Sequence, residues 1–218
     1  DRVALSALRW FLTGKGMMGS QPLTTIAYYR SRPDLERPDL ENIIMPTSLG
    51  AHVWFPGIRK PHEDVLTSLN CVLPPGSRGT VRLRSADPSV APEIRFNILA
   101  DAHDVELLRH SIKWTRELMS TGPISEFAGD EIYPGPHTST ANALDQFIRS
   151  TAVTAQHPAC TCRMGTDEKS VDDPALRVLG LERLRIADAS VMPTLIGGHT
   201  NAPSIMIGER AAEFLAVS

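Results

Sequence analysis

The sequence predicts an α+β fold, with antiparallel strands mixed with helices rather than strands alternating with crossover helices. Three observations lead there. Residues 79–84 and 93–96 both alternate apolar and polar positions: Val81 and Leu83 against Arg82 and Arg84, then Ile94 and Phe96 against Glu93 and Arg95. That is the period of a strand with one wet face, and the close spacing around a turn at Asp87-Pro88 favours antiparallel pairing. Ala102–Ser120 carries Val105, Leu108, Ile112 and Met119 near one helical stripe, widened by Leu107, Trp114 and Leu118. Finally, no Gly-x-Gly-x-x-Gly follows a strand, so the chain lacks the usual cradle for a dinucleotide pyrophosphate.

The other elements follow in order. Residues 4–12 read as a helix, ended by Thr13-Gly14-Lys15-Gly16, whose glycines tolerate positive φ. Residues 32–62 are rich in proline and polar groups and read as an exposed connection leading into a strand at 42–45. Its local echo, Arg32-Pro33-Asp34-Leu35 and Arg37-Pro38-Asp39-Leu40, is too short for a repeat architecture. A strand is expected at 65–73, closed by Pro74-Pro75-Gly76. Asp101 is the expected N-cap of the long helix, and Gly122-Pro123 its stop. A helix at 141–149 follows, capped by Thr140, with Leu144, Phe147 and Ile148 as its buried face. A strand at 184–187 ends on Asp188, and a helix at 204–216 closes the chain.

Bulk properties narrow the function classes. The chain has 218 residues, 42% of them hydrophobic and 22% charged, the proportions of a soluble globular protein. A net charge of −3 gives no general reason to expect nucleic acid or an anionic membrane as partner. No stretch approaches the roughly 20 apolar residues of a membrane span. The chain starts at Asp1 with no signal-peptide pattern, so the native start is expected to be missing. Three cysteines do not make a disulfide framework, and Cys160-x-Cys162 is too tightly spaced for a zinc knuckle. No metal site is expected, and the cytoplasm is the expected compartment.

Two histidines carry the chemistry. His157 precedes Pro158, which favours an extended backbone, and imidazole is the side chain best matched to proton transfer near neutral pH. His199 lies in Gly197-Gly198-His199-Thr200-Asn201-Ala202-Pro203, before an apolar helix. Asn201 is expected to cap that helix and Pro203 to take its first position. The glycines allow close approach of backbone to a ligand, and the helix N-terminus favours negative charge. Taken singly, each segment is better explained by an ordinary capped helix or a structural histidine. The other histidines (His52, His62, His103, His110 and His137) are expected to be structural or exposed.

Read together, the tail says more. His157-x-x-Cys160-Thr161-x-x-Met164-Gly165, Val171-Asp172, Arg177-Val178-x-Gly180, Leu184-Arg185-Ile186-x-Asp188-Ala189-Ser190-x-x-Pro193, His199-x-Asn201-Ala202-Pro203 and Glu209-Arg210-Ala211-Ala212 occur in that order. This order closely resembles the C-terminal signature of the glucose–methanol–choline (GMC) flavoprotein oxidoreductases. Gly79-Thr80-Val81-x-Leu83-x-Ser85-x-Asp87-Pro88 adds a weaker likeness to the family's substrate domain, so the resemblance covers the chain from about Leu12 onward.

The resemblance implies an antiparallel-sheet substrate domain with helices over residues 1–150. Residues 151–218 would supply the C-terminal strand and helix of a Rossmann-like FAD-binding domain whose main part lies outside this chain. The implied cofactor is FAD, and the implied partners are an alcohol and the missing N-terminal FAD-binding part. His157 matches the family's catalytic histidine, and His199 the second position, which holds histidine or asparagine. Asp188 and Ala189 match the segment at the flavin's ribityl–phosphate region; Thr200, Asn201, Ala202 and Pro203 match the backbone at the pyrimidine edge of the ring. Cys160 stands where many members have glycine. The implied reaction is oxidation of a CH–OH donor to an aldehyde or ketone. His157 accepts the proton, His199 orients the hydroxyl, and hydride passes to flavin N5. A hydroxynitrile lyase of the same fold, or an inactive fragment without its FAD half, are the alternatives. His52, Trp54 and Phe55 are candidates for lining the substrate pocket.

Overall fold

A computed structural model describes residues 2–16, 19, 25–51 and 64–216, so the candidate pocket residues His52, Trp54 and Phe55, and also His62, lie outside the described residues. The mixed α+β architecture is as expected. Helix α1 (Arg2–Thr13) is followed by strands β1 (Thr25–Tyr29), β2 (Leu40–Met45) and β3 (Thr67–Val72), which pair antiparallel in the order β1-β2-β3. Strand β1 has no counterpart in the sequence expectation, although its run of β-branched and aromatic residues, Thr25-Ile26-Ala27-Tyr28-Tyr29, is the composition strands favour.

Central strand β2 is buried at all six positions, because it is covered on both faces. Its alternation sorts Leu40, Asn42 and Ile44 to one face and Glu41, Ile43 and Met45 to the other. The first face meets helix α2 (Ala102–Ser120) through an unusually polar layer. There the Asn42 amide donates to Ser68 Oγ (2.7 Å) and Asn70 Oδ1 (2.8 Å). Ser111 of α2 reaches Asn70 at 2.5 Å and shares a 2.5 Å bond with the Tyr29 hydroxyl, while the Tyr29 ring stacks on Trp114 at 4.0 Å. Buried polar groups cost least when satisfied, so these bonds favour one register of sheet against helix, although Asn42 Oδ1 finds no hydrogen bond among the described residues.

Helix α2 occupies the range its periodicity predicts. Asp101 caps it, accepting from the His103 N–H at 2.9 Å. Its apolar stripe meets α3 (Ala141–Thr151), and Leu99, Val105, Ile112, Leu144 and Ile148 form one core cluster. Thr140 caps α3 as expected, and a two-point ion pair from Arg109 to Asp145 (2.7 and 2.9 Å) ties the two helices. The Arg109 guanidinium, chiefly through these hydrogen bonds, holds the Asp145 carboxyl below its usual range.

The hairpin of β4 (Thr80–Arg82) and β5 (Glu93–Arg95) is antiparallel, as the alternation requires, but shorter than the 79–84 and 93–96 expected. Only three residue pairs form, and Leu83 beyond them is 86% exposed. At the root of the hairpin a side chain on Gly79 would collide with the carbonyl oxygens of Arg95 and Phe96. Gly79→Ala is therefore expected to destabilise the protein by about 1–3 kcal/mol, read as a lowered melting temperature.

The tail packs on a second cluster: Leu176, Val191, Met192, Ile207 and Ala211. Two expectations are corrected here. Residues 184–187 form no strand ladder; Arg185 makes a single antiparallel bridge to Arg177, and the pairing stops at two backbone bonds, Val178 N–H to the Leu184 carbonyl and Ile186 N–H to the Leu176 carbonyl. Helix α4 is Asn201–Ala216, three residues longer at its start than expected.

Candidate active site

The site begins with the chain that carries His157. Between α3 and residue 164 the chain follows an irregular path beside the segment after Asp188. The N–H groups of Cys160, Cys162 and Met164 donate to the carbonyls of Ala189, Ser190 and Val191 at 3.3, 3.0 and 2.8 Å. Cys160 takes a φ of 71°, the left-handed region glycine adopts most readily.

The start of α4 sets the second histidine. The Thr200 carbonyl accepts from the Ser204 N–H at 3.0 Å, the first bond of the helix, which makes Thr200 rather than Asn201 the capping residue. Pro203 accordingly falls third in the helix rather than first, still within the turn whose N–H groups have no intrahelical partner. The Thr200 hydroxyl turns away from the helix to His157 Nδ1, at 2.8 Å.

From that contact a continuous chain runs across the molecule. His157 Nε2 lies 2.8 Å from His199 Nδ1, with the rings nearly perpendicular at 79°. His199 Nε2 lies 2.8 Å from Oε1 of Glu41, whose residue is only 2% exposed. The face of β2 opposite the polar layer thus supplies a buried carboxylate behind the histidine pair. Glu41 was missed because the expected strand began at Asn42. A glutamate between Leu40 and the apolar run Ile43-Ile44-Met45 was the available signal, since an unpaired glutamate is seldom buried.

Register places Tyr28 of β1 and Cys71 of β3 on either side of Glu41. Burial, with a further push from the Glu41 carboxylate, raises the Cys71 thiol to about 11. Burial first, then Glu41, also lifts the Tyr28 hydroxyl. Cys71 is therefore expected to resist iodoacetamide in the folded protein at pH 8. Its alkylation should accelerate only as the pH climbs towards 11, monitored by mass spectrometry. Raised above its unfolded value of 9.0, the thiol lends stability that is complete below pH 9 and fades as the pH rises through about 11.

The remaining expected residues are partly brought together. Asp188 is exposed and accepts from the Ser190 N–H at 2.7 Å; half-buried Ala189 packs on the cluster under α4. Asn201 and Ala202 are exposed in the first turn of α4, with Pro203 half-buried behind them. Asp172 is fully buried, and neither of its carboxylate oxygens finds a hydrogen bond among the described residues; burial, then Asp173 and Asp188, raise its pKa. His103, His110 and His137 are exposed, as expected. No group of three or more metal-ligating side chains gathers among the described residues, nor is any described helix long and apolar enough to cross a membrane.

These residues fit one part of a flavin and not another. Side chains placed on Gly197 or Gly198 would meet nothing within 4 Å, and the first-turn N–H groups of α4 are available to an electron-rich ring edge. No glycine-rich phosphate cradle accompanies them.

Two imidazoles in contact, backed by a buried carboxylate and set at a helix N-terminus, are an arrangement whose chemistry suits proton transfer. Residues 75–208, more than half of the chain, match the family described as GMC oxidoreductase. The chain is 36% identical to mitochondrial choline dehydrogenase of Homo sapiens over 94% of its own length and 34% of that protein's. Among solved structures, pyridoxine 4-oxidase from Mesorbium loti superimposes with a TM-score of 0.77 at 27% identity, over 91% of this chain and 38% of that one. Formate oxidase shares the fold with a TM-score of 0.84 at 24% identity, over 100% of this chain and 42% of that one. The chain belongs to the GMC oxidoreductase family. It spans about a third of the length of the curated relatives it matches.

Proposed function

We propose that the protein oxidises an alcohol, a CH–OH donor, to an aldehyde or ketone, with His157 and His199 handling the hydroxyl proton. The observation that carries this reading is the 2.8 Å contact between the two imidazoles at the mouth of α4. FAD is the cofactor, and when bound it supplies the hydride acceptor. His157 and His199 hold and move the proton; the role of acceptor falls to His157 and that of orienting the hydroxyl to His199 in the reading made from sequence. Thr200, Asn201, Ala202 and Pro203 bring a helix N-terminus to where negative charge develops, and Asp188 and Ala189 meet the ribityl–phosphate side. Residues 1–150 form the substrate-binding part, and residues 151–218 complete the FAD-binding domain. The proposed partners are a small-molecule alcohol and the N-terminal FAD-binding part of the same protein, and the proposed compartment is the cytoplasm.

The test is a visible spectrum of the whole protein, then anaerobic addition of a panel of primary and secondary alcohols. Bleaching of the flavin bands by at least one alcohol is expected. A flavin that binds yet is bleached by none, with cyanohydrin cleaved instead, would replace the oxidation with lyase chemistry.

A further inference from the structure

The sheet face that carries Glu41 also carries a phenol that the proton chemistry does not use. Directly paired residues of an antiparallel sheet point to the same side, so the register sets Tyr28 of β1 and Cys71 of β3 beside Glu41. Ile26, Ile43 and Leu69 make the next row of that face. His199 meets the face through its 2.8 Å contact with Glu41, so the first row borders the histidine pair. Tyr29, the next residue of β1, points the other way and is spent on Ser111 and Trp114. Tyr28 has no such engagement. It stays 45% exposed, and its hydroxyl makes no hydrogen bond among the described residues.

We infer that Tyr28 sets substrate preference, donating from its hydroxyl to a neutral acceptor on the alcohol (an ether oxygen, a ring nitrogen or a second hydroxyl) while the carbinol lies at the histidine pair. The contact gives a substrate class to the alcohol-oxidation reading above, on which it rests. Side chains paired across strands stand about 5 Å apart at their β-carbons, so one small molecule can reach both the phenol and the histidine that Glu41 holds. Burial, then the Glu41 carboxylate, raise the Tyr28 hydroxyl above its usual value, so it keeps its proton and serves as a donor.

The rest of the row leaves this task to Tyr28. Glu41 is engaged by His199, and the Cys71 thiol, pushed up to about 11, is neutral and a weak donor. The row of Ile26, Ile43 and Leu69 offers apolar contact and no direction. Direction comes from the phenol, through an asymmetry. A half-exposed hydroxyl bonds to water at no cost while the site is open. An alcohol that displaces this water without replacing its hydrogen bond leaves the donor stranded, whereas one carrying an acceptor restores the bond. The penalty therefore falls on the alcohol that lacks an acceptor.

Matched alcohols test the inference in the whole, FAD-loaded protein: benzyl alcohol against the pyridylmethanols, and a primary alkanol against an ether alcohol of equal chain length. The parent is expected to favour the acceptor-bearing member of at least one pair in kcat/KM. Tyr28→Phe should raise KM for that member roughly 10-fold, with kcat held, and leave its acceptor-free partner within about 2-fold. The variant loses one oxygen that bonds nothing in the fold, so its melting temperature should match the parent's. A second readout needs no turnover. Dimethylphenylcarbinol and its pyridyl counterparts are tertiary alcohols with no hydride to give, and their dissociation constants can be read from the flavin spectrum. Tyr28→Phe should weaken the favoured pyridyl compound roughly 10-fold and spare the phenyl one. A parent without preference in any pair overturns the inference, as does a variant that shifts both members of the favoured pair alike or neither. Should no alcohol bleach the flavin, the oxidation reading falls, and the dissociation constants still decide whether Tyr28 reads the acceptor.

Discussion

With His157 replaced by alanine, the flavin of the whole protein is expected to be reduced by alcohol roughly 10²-fold or more slowly. The change removes the group that bridges Thr200 and His199, and with it both contacts His157 makes in the relay. Whether His157 takes the proton or stabilises the oxygen that loses it, the loss falls on the transition state. Donors aimed at developing charge are worth about 10² to 10³ in rate, so the two roles predict effects of similar size. Affinity for FAD should change little, because the change leaves the helix N-terminus of α4 untouched. The measurement is anaerobic stopped-flow absorbance under single turnover, with exposed His103→Ala as the control. An unchanged rate for His157→Ala would remove it from the chemistry altogether.

Asp104→Ala is expected to cost about 3 kcal/mol of stability or more, from the loss of a buried charged acceptor with several donors. Asp104 is 2% exposed, on the first turn of α2, and its two oxygens accept from the N–H groups of Gly76 and Ser77 and from the Ser77 hydroxyl at 2.7, 2.9 and 2.5 Å. Removing the carboxylate strands these donors where water cannot replace it. Ser77 also receives the Asp101 N–H at 3.1 Å, so the cap of α2 loosens along with the loop. Asp104→Asn, which keeps one acceptor, should fall between. Denaturant midpoints of the whole protein decide; equal midpoints for the alanine variant and the parent would show the loop to be held by other means.

The sequence reading succeeded where information is local. Helices α2 and α3 were legible because stripe, cap and stop all lie within the helix or beside it: Asp101 and Thr140 do cap them. The β4–β5 pairing was legible because alternation and turn sit in one short stretch. Strand β1 was missed because nothing in its five residues declares their partner, and Ile26 and Tyr28 remain 40% and 45% exposed. The start of α4 was misplaced because Asn201 and Pro203 suit a helix entry in either register, and the Thr200 carbonyl decides between them. The histidine pair was found through the order of motifs in the tail. Glu41 was not, because its meaning comes from His199, 158 positions away; no pattern along the chain links them until the sheet has formed.

The alternation of β2 has a consequence for what changes this protein can tolerate. Asn42 and Glu41 are neighbours in the chain, yet one belongs to the joint between sheet and helix and the other faces the histidine pair. The strand therefore works like two interleaved messages read on odd and even letters. Substituting a letter edits one message and leaves the other readable. Adding or deleting one letter swaps them, sending a carboxylate into the joint and an amide to the histidines. Descendants of this chain, natural or made in the laboratory, can diverge along β2 by substitution alone, and its length should be the most slowly changing feature of the whole sheet.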